Sequence, residues 1–430
     1  MASSILALPV AMGRSRQGMG SDDRQDVRMR GFRARVEVGT ALAWIDAHAR
    51  PLPAETTPLD ALAGSVLAAD IVAPIDVPPF DRAAMDGYAL RADETTGASD
   101  YNPLAFTIVG EAMPARPFAG TASTGAAVRV TTGAPMPAGL DTVVPAEYAQ
   151  ATDGRVEIAA AGTPGKHVGR RGEDLRAGQT VLGSGRRLRP QDLGLLASLG
   201  FDRAAVVRRP RVRLVVTGNE VVAPGQPKGE WEIYDANSAL LRALVARDGG
   251  EIEAHVRTGD DAARIAEAMT APGADVVLLS GGSSVGSEDH APRLLTQAGE
   301  LAVHGVAMRP SSPAGMGCIG ERLVFLLPGN PVSCLCAYDF FAGRAIRRLG
   351  GRDAAWPYRT AQATVARTIV SAIGRVDYCR VRLTEAGVEP LALSGASILS
   401  STTRADGFVV VPGDSEGYGP GAQVAVHLYD

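Results

Sequence analysis

The residues able to do chemistry gather in five short loops, each placed directly after an apolar run. They read Thr217-Gly218-Asn219-Glu220, Thr258-Gly259-Asp260-Asp261, Ser280-Gly281-Gly282-Ser283-Ser284-Val285-Gly286, Arg309-Pro310-Ser311-Ser312-Pro313 and Pro328-Gly329-Asn330-Pro331. Glycine lets backbone N–H groups approach a phosphate closely, and hydroxyls add further donors. Asn330 before Pro331 reads as an N-cap with proline at the first helical position, a helix start that favours an anion. Glu220, Asp260 and Asp289 lie on neighbouring loops and could hold a divalent cation through oxygen ligands. Any one loop alone is ordinary turn punctuation. Together on one sheet edge, they point to a phosphate-bearing ligand.

Two further motifs lie upstream. The segment 80–89 combines charges with an abrupt Asp86-Gly87 turn, and Arg170-Arg171-Gly172-Glu173-Asp174 sets two guanidinium groups beside two carboxylates. A turn residue and a solvated loop ion pair account for them equally well at this point. No Gly-x-Ser-x-Gly elbow occurs, no Walker A loop or Gly-x-Gly-x-x-Gly follows a strand, and the histidines are poor candidates for a triad.

The elements that must position these loops are most legible in residues 209–350. Apolar runs at 212–216, 276–279 and 323–327 predict strands buried on both faces, with 251–256 and 301–308 as weaker candidates. Between them, Leu240, Leu241, Leu244 and Val245 share one helical face, and Ile265 to Met269 begins another. Strands alternating with helices predict a doubly wound parallel sheet, whose ligands bind outside the carboxyl ends of its strands. Apolar spacing predicts helices over 36–50, over 57–69 and near 191–199. Residues 79–161 carry short Val/Ile/Ala runs between Gly/Pro clusters, as an inserted β domain would. Residues 351–430 read as a small C-terminal β domain. Residues 30–78 and 162–208 form a linker domain with helices. Residues 1–29 are polar and aperiodic; a disordered tail and a misassigned start codon explain them equally well. The fold class is multidomain α/β plus β.

Composition bounds the rest. Forty-three basic against 47 acidic side chains leave a net charge of −4, which excludes a field that recruits nucleic acid or a membrane surface. No membrane span or secretory signal is recognisable, so a cytoplasmic protein is expected. Cys318, Cys334, Cys336 and Cys379 show no zinc spacing and are expected as reduced, buried thiols.

The ordered set Ala84-Met85-Asp86-Gly87-Tyr88-Ala89, Thr131-Thr132-Gly133-Ala134, Arg171-Gly172-Glu173-Asp174, Thr217-Gly218-Asn219-Glu220, Tyr234-Asp235-Ala236-Asn237, the 281–286 loop and Leu327-Pro328-Gly329-Asn330-Pro331-Val332-Ser333 resembles the molybdopterin molybdenumtransferase family, which includes the gephyrin E domain. Arg404-Ala405-Asp406-Gly407 with the following valines is similar to that family's last domain. The resemblance implies a molybdopterin-binding sheet domain, an elongated N-terminal region and a C-terminal small β-barrel. It implies adenylylated molybdopterin and molybdate as substrates, Mg²⁺-dependent release of AMP, and a homodimer with shared active sites. A molybdopterin adenylyltransferase and client molybdoenzymes would be its partners. Asp86, Thr132 and Asp174 would cross the dimer interface to complete a catalytic set with Glu220, Asp260 and Asp289, the last three also as metal ligands. Gly281, Gly282, Ser283, Ser284, Arg309, Ser312, Pro328, Asn330 and Pro331 would hold the pterin substrate and the oxyanion.

The chain also departs from the pattern. Where the family reads Lys-Pro-Gly-Lys-Pro, this chain has Arg309-Pro310-Ser311-Ser312-Pro313. A further family lysine falls at Gly305, Asn219 replaces an aspartate, and His290 replaces a tyrosine. Two other readings therefore stand beside the enzyme: a molybdopterin-binding carrier or chaperone that inserts no metal, and a plain nucleotide-binding regulator.

Overall fold

The computed structural model describes residues 35–283, 289–392 and 395–429. Two compact units emerge. One comprises the residues up to 49 with 211–346 and 355–430, and the other comprises 50–210 with 347–354.

The first unit is built on a six-stranded sheet. Its spatial order is Glu251–Thr258, Arg211–Thr217, Val276–Ser280, Arg322–Leu327, Gly315–Ile319, Glu300–His304. The first four strands run parallel, as their unbroken Val/Leu runs predict for strands covered on both faces. The last two pairings are antiparallel: Gly315–Ile319 runs against Arg322–Leu327, and Glu300–His304 runs against Gly315–Ile319. The cause is local: Gly320-Glu321 is a two-residue turn between Ile319 and Arg322, and it folds Gly315–Ile319 back as a hairpin. Alternate residues face opposite layers. Val215, Val277, Leu279, Val324 and Leu326 pack under Ile265, Met269, Leu294 and Leu295 of helices Ala262–Thr270 and Ala291–Ala298. Helices Asn237–Asp248 and Pro331–Ala337 pack together elsewhere on the sheet.

The same unit carries the C-terminal barrel. Val376–Thr384, Gly407–Val411, Gln423–Leu428 and Arg359–Thr364 pair in that order, and Gly387–Ala392 pairs with Val376–Thr384. A Val365–Val388 bridge closes the ring. Met308–Arg309 joins it by pairing parallel to Val376–Thr384, which places Arg309 opposite Asp377.

The second unit holds a six-stranded sheet ordered Thr142–Pro145, Gly87–Leu90, Ala126–Val130, Leu104–Ala112, Arg155–Ile158, Ala149–Thr152. Helix Pro190–Ser198 forms as expected. The helix expected over 57–69 does not. Ala54–Pro58 is a strand paired with Arg203–Val207, followed by a single 3₁₀ turn at Leu59–Ala61. Thr56, Thr57 and Pro58 disfavour helix, and Leu62 and Leu67 bury against Leu182, Leu188 and Leu196 from an irregular backbone.

Candidate active site

The carboxyl ends of the parallel strands arrive in register. Thr217 pairs with Thr258, Val216 with Ser280, and Ser280 with Leu327, so the loops that follow share one edge. Gly281 has φ +97°, and a Cβ there would lie 2.5 Å from the Thr217 carbonyl oxygen. Only glycine fits. Asn237 ties two loops together, its side-chain amide donating to Ser280 Oγ at 2.8 Å and to the Gly329 carbonyl at 2.7 Å. Beneath the glycine turn, Thr217 Oγ1, Asn237 Oδ1 and Thr258 Oγ1 are buried without a hydrogen-bond partner among the described residues. Buried polar atoms are nearly always paired, so three orphans at one strand edge mark a place built to receive polar atoms from outside. Gly282 and Ser283 continue this wall, with Ser283 buried. Ser284 lies outside the described residues.

The acidic residues are arranged otherwise than expected. Among the described residues, no three acidic, histidine or cysteine side chains converge closely enough to hold a metal ion. The predicted trio of Glu220, Asp260 and Asp289 is therefore not assembled as an all-protein cage. Asn219 and Asp260 exchange two hydrogen bonds: the Asn219 amide donates to Asp260 Oδ2 at 3.3 Å, and the Asp260 amide donates to Asn219 Oδ1 at 3.2 Å. Glu220 is exposed on the adjoining turn, whose carbonyl accepts the Ile233 amide at 2.8 Å. Asp289 instead stands within electrostatic reach of His304. The His304 Nε2–H donates to the Ser283 carbonyl at 3.0 Å. Burial pushes the His304 pKa down, against the smaller opposing effects of that carbonyl and of Asp289.

The 309–313 loop edges a cavity of about 690 Å³ reached also by Arg35, Asn330, Ser333 and Arg375. Arg309 lines this cavity but turns one edge of its guanidinium to Asp377. Its Nε donates to Asp377 Oδ1 at 3.1 Å, and a terminal nitrogen donates to Oδ2. The Ser371 hydroxyl donates to Oδ2 at 2.7 Å, and Arg375 Nε lies 3.4 Å from Oδ1, an ion-pair contact outside hydrogen-bond geometry. Asp377 is fully buried, and a buried carboxylate needs its counter-charge held close. Ser312 Oγ remains buried and unpartnered. Asn330 does occupy the N-cap position before Pro331, but its side chain makes no capping bond. The helix it starts spans Pro331–Ala337.

The second unit places the remaining predicted residues. Asp86 Oδ1 accepts both the Thr132 amide at 2.6 Å and the Thr132 hydroxyl at 2.9 Å. These two bonds, the backbone one foremost, hold the Asp86 carboxyl below the usual carboxylate range. Asp174 follows the Val168–Gly169 strand, which pairs with Arg82–Ala83 just upstream of Asp86, and its amide donates to the Val77 carbonyl at 3.0 Å. All three side chains are exposed. Arg171 is spent on Asp76, with Nε to Oδ2 at 2.6 Å. The solvated-ion-pair reading of that arginine holds.

Residues 36–200 match the MoeA N-terminal region (domain I and II), 213–348 the probable molybdopterin binding domain, and 362–429 the MoeA C-terminal region (domain IV). A Mycobacterium tuberculosis protein named molybdopterin molybdenumtransferase 2 is 38% identical over 325 residues, covering 73% of this chain and 80% of the relative. The Haemophilus influenzae molybdopterin molybdenumtransferase is 30% identical over 393 residues, covering 88% and 95%. This chain belongs to the molybdopterin molybdenumtransferase family. A crystal structure of the molybdopterin biosynthesis MoeA protein from Pyrococcus horikoshii OT3 superposes with a TM-score of 0.75 at 30% identity, over 92% of this chain and 100% of that one.

Several residues of this MoeA-family site escaped sequence reasoning. Asn237 was visible inside a quoted motif, but nothing showed that it bridges two loops. Thr217 and Thr258 stood at the head of two of the loops, but no spacing showed that their hydroxyls would be buried without a partner. Asp377, Arg375 and His304 lie in segments with no motif at all.

Proposed function

We infer that this chain is a transferase of molybdenum cofactor biosynthesis that takes adenylylated molybdopterin and molybdate, cleaves the adenylate and releases AMP with the finished cofactor. The observation that carries this reading is the glycine-walled edge at Thr217, Asn237 and Gly281, with its unpartnered buried polar atoms, inside a domain matched to molybdopterin binding. Gly282 and Ser283 would present amides and a hydroxyl to the pterin phosphate, while the Gly281 amide is spent on the Leu327 carbonyl at 3.2 Å and shapes the turn. Cleavage of a phosphoanhydride needs positioning and charge neutralisation more than a strong nucleophile. Mg²⁺ is commonly held by one or two carboxylates plus substrate phosphates, and Glu220 with Asp260 on adjoining loops fits that need where a three-carboxylate cage does not. Bound there, the ion supplies charge neutralisation on the anhydride. Asp86, Thr132 and Asp174 are exposed on the other unit, ready to complete the site of a second subunit in a homodimer. A molybdopterin adenylyltransferase would supply the substrate, and client molybdoenzymes would take the product.

The carrier reading is not favoured, since the named relatives are transferases. The test is direct. Purified protein is given adenylylated molybdopterin, Mg²⁺ and molybdate, and AMP and active cofactor are measured separately. The enzyme yields both, and Asp260→Ala yields neither. Tight pterin binding without either product would leave the carrier.

A further inference from the structure

We propose that Arg35 is an oxyanion-binding cation of the cavity beside the 309–313 loop, and that the ligand it takes is a tetrahedral dianion of the molybdate class. This deepens the function inferred above and rests on it. Among the described residues the cavity is lined by Arg35, Arg309 and Arg375 and by no Asp or Glu. Arg309 is engaged with Asp377 through Nε and one terminal nitrogen, and Arg375 approaches the same carboxylate at 3.4 Å without a hydrogen bond from its Nε. Arg35 is exposed and has no hydrogen bond or ion pair among the described residues. Its guanidinium is therefore available to a ligand.

Its position is not accidental. The Val36 amide donates to the Gly305 carbonyl at 2.9 Å, and the Ala307 amide donates to the Val36 carbonyl at 2.8 Å. This parallel bridge of Val36 with buried Val306 clamps the backbone one residue from Arg35 onto the segment leading into the loop. A neutral donor stands in the same cavity wall: Ser312 Oγ is buried and unpartnered, whereas Ser311 Oγ is spent on the Ser333 carbonyl. The Asn330 side chain is likewise not used to cap its helix. An unspent guanidinium, an orphan hydroxyl and a free amide are the donors a small oxyanion requires, and a guanidinium fork matches two of its oxygens at once. Lys166 and Lys228 are the only lysines in the sequence, and neither lines this cavity, so its positive charge comes from arginine.

The test is a molybdate titration of cofactor formation by the full-length protein, at saturating adenylylated molybdopterin. Arg35→Gln keeps the stem and the backbone bridge while removing the charge. Losing a charge-assisted bond should raise the half-saturating molybdate by about tenfold or more. The half-saturating pterin concentration should stay put, and Arg35→Lys should recover most of the loss. Adding Ser312→Lys to Arg35→Gln should also bring the molybdate requirement back down. Calorimetry with molybdate alone, and with sulfate as competitor, should show the same loss of binding. A sloped wild-type curve on which Arg35→Gln superimposes overturns the role of Arg35 and leaves the function standing. A flat wild-type curve, with pterin bound, overturns the function itself.

Discussion

Asp377→Ala tests whether Arg309 is a structural cation. The carboxylate is fully buried and takes both nitrogens of the Arg309 fork, the Ser371 hydroxyl and the near approach of Arg375. Removing one partner of a buried pair costs about 3–5 kcal/mol, because the remaining charge is left uncompensated. Here the Arg309 and Arg375 side chains keep 30% and 37% exposure, so water can resolvate them in part. The loss should therefore fall at the low end, about 3 kcal/mol. Ser371→Ala deletes a single charge-assisted bond and should cost about 1.5 kcal/mol. Denaturant unfolding followed by tryptophan fluorescence is the assay, since Trp44, Trp231 and Trp356 all belong to the same unit as Asp377. A midpoint shift at constant slope reads the stability change. A loss below about 1 kcal/mol for Asp377→Ala would make the pair no better than a surface ion pair and would refute the reasoning.

Three more outcomes are expected. Mixing Asp86→Ala with Glu220→Ala protein should restore AMP release in heterodimers, where one of the two shared sites is whole; no recovery after proven subunit exchange would place Asp86 outside the shared site. Burial pushes the Cys334 and Cys379 thiols up to about 12 and raises Cys336 and Cys318 as well, so native protein at pH 8 should react slowly with a thiol reagent and quickly only when unfolded; fast stoichiometric labelling of the native state would contradict this. His304 is held neutral by burial, with a folded pKa below its unfolded value near 6.5. Its contribution is present above that pH and is lost as pH falls through the folded pKa, by at most about 1.4 kcal/mol per pH unit. Stability should thus decline between pH 6.5 and 5, and less steeply in His304→Gln; identical slopes would assign the decline elsewhere.

Three central strands were legible because a parallel sheet covered on both faces favours near-continuous apolar runs. Val212, Val277 and Phe325 announce that environment by themselves. The loop edge was legible for the same reason, since strand ends in register must bring their following residues together. What happens next at that edge was not. Asn219 and Asp260 could as well have turned toward a metal as toward each other, and spacing cannot tell a carboxylate's partner from its distance along the chain. The 57–69 segment misled in a different way. Leu59, Leu62 and Val66 recur at helical spacing, yet the strand pairing at Thr56 and Thr57 and the irregular burial of Leu62 override the period.

Arg309 shows where sequence reading must stop and why. An arginine replacing a lysine beside an anion pocket reads as a retained charge, and by sequence alone that charge faces the ligand. Its partner lies 68 residues downstream, brought opposite by a two-residue strand pairing that no periodicity reveals. Once Asp377 claims the fork, the net charge left to the cavity depends on cations from elsewhere. Arg35 is a cavity cation with no ion pair among the described residues. A substitution at position 309 therefore acts first on the barrel's attachment to the loop and only through it on the ligand. Arg309→Lys should accordingly lower stability, because an ammonium cannot fill both oxygens of Asp377 as the fork does. It should leave the molybdate requirement nearly unchanged, whereas Arg35→Gln should raise that requirement without destabilising the unit. The reverse assignment of the two effects would return Arg309 to the ligand and remove Arg35 from it.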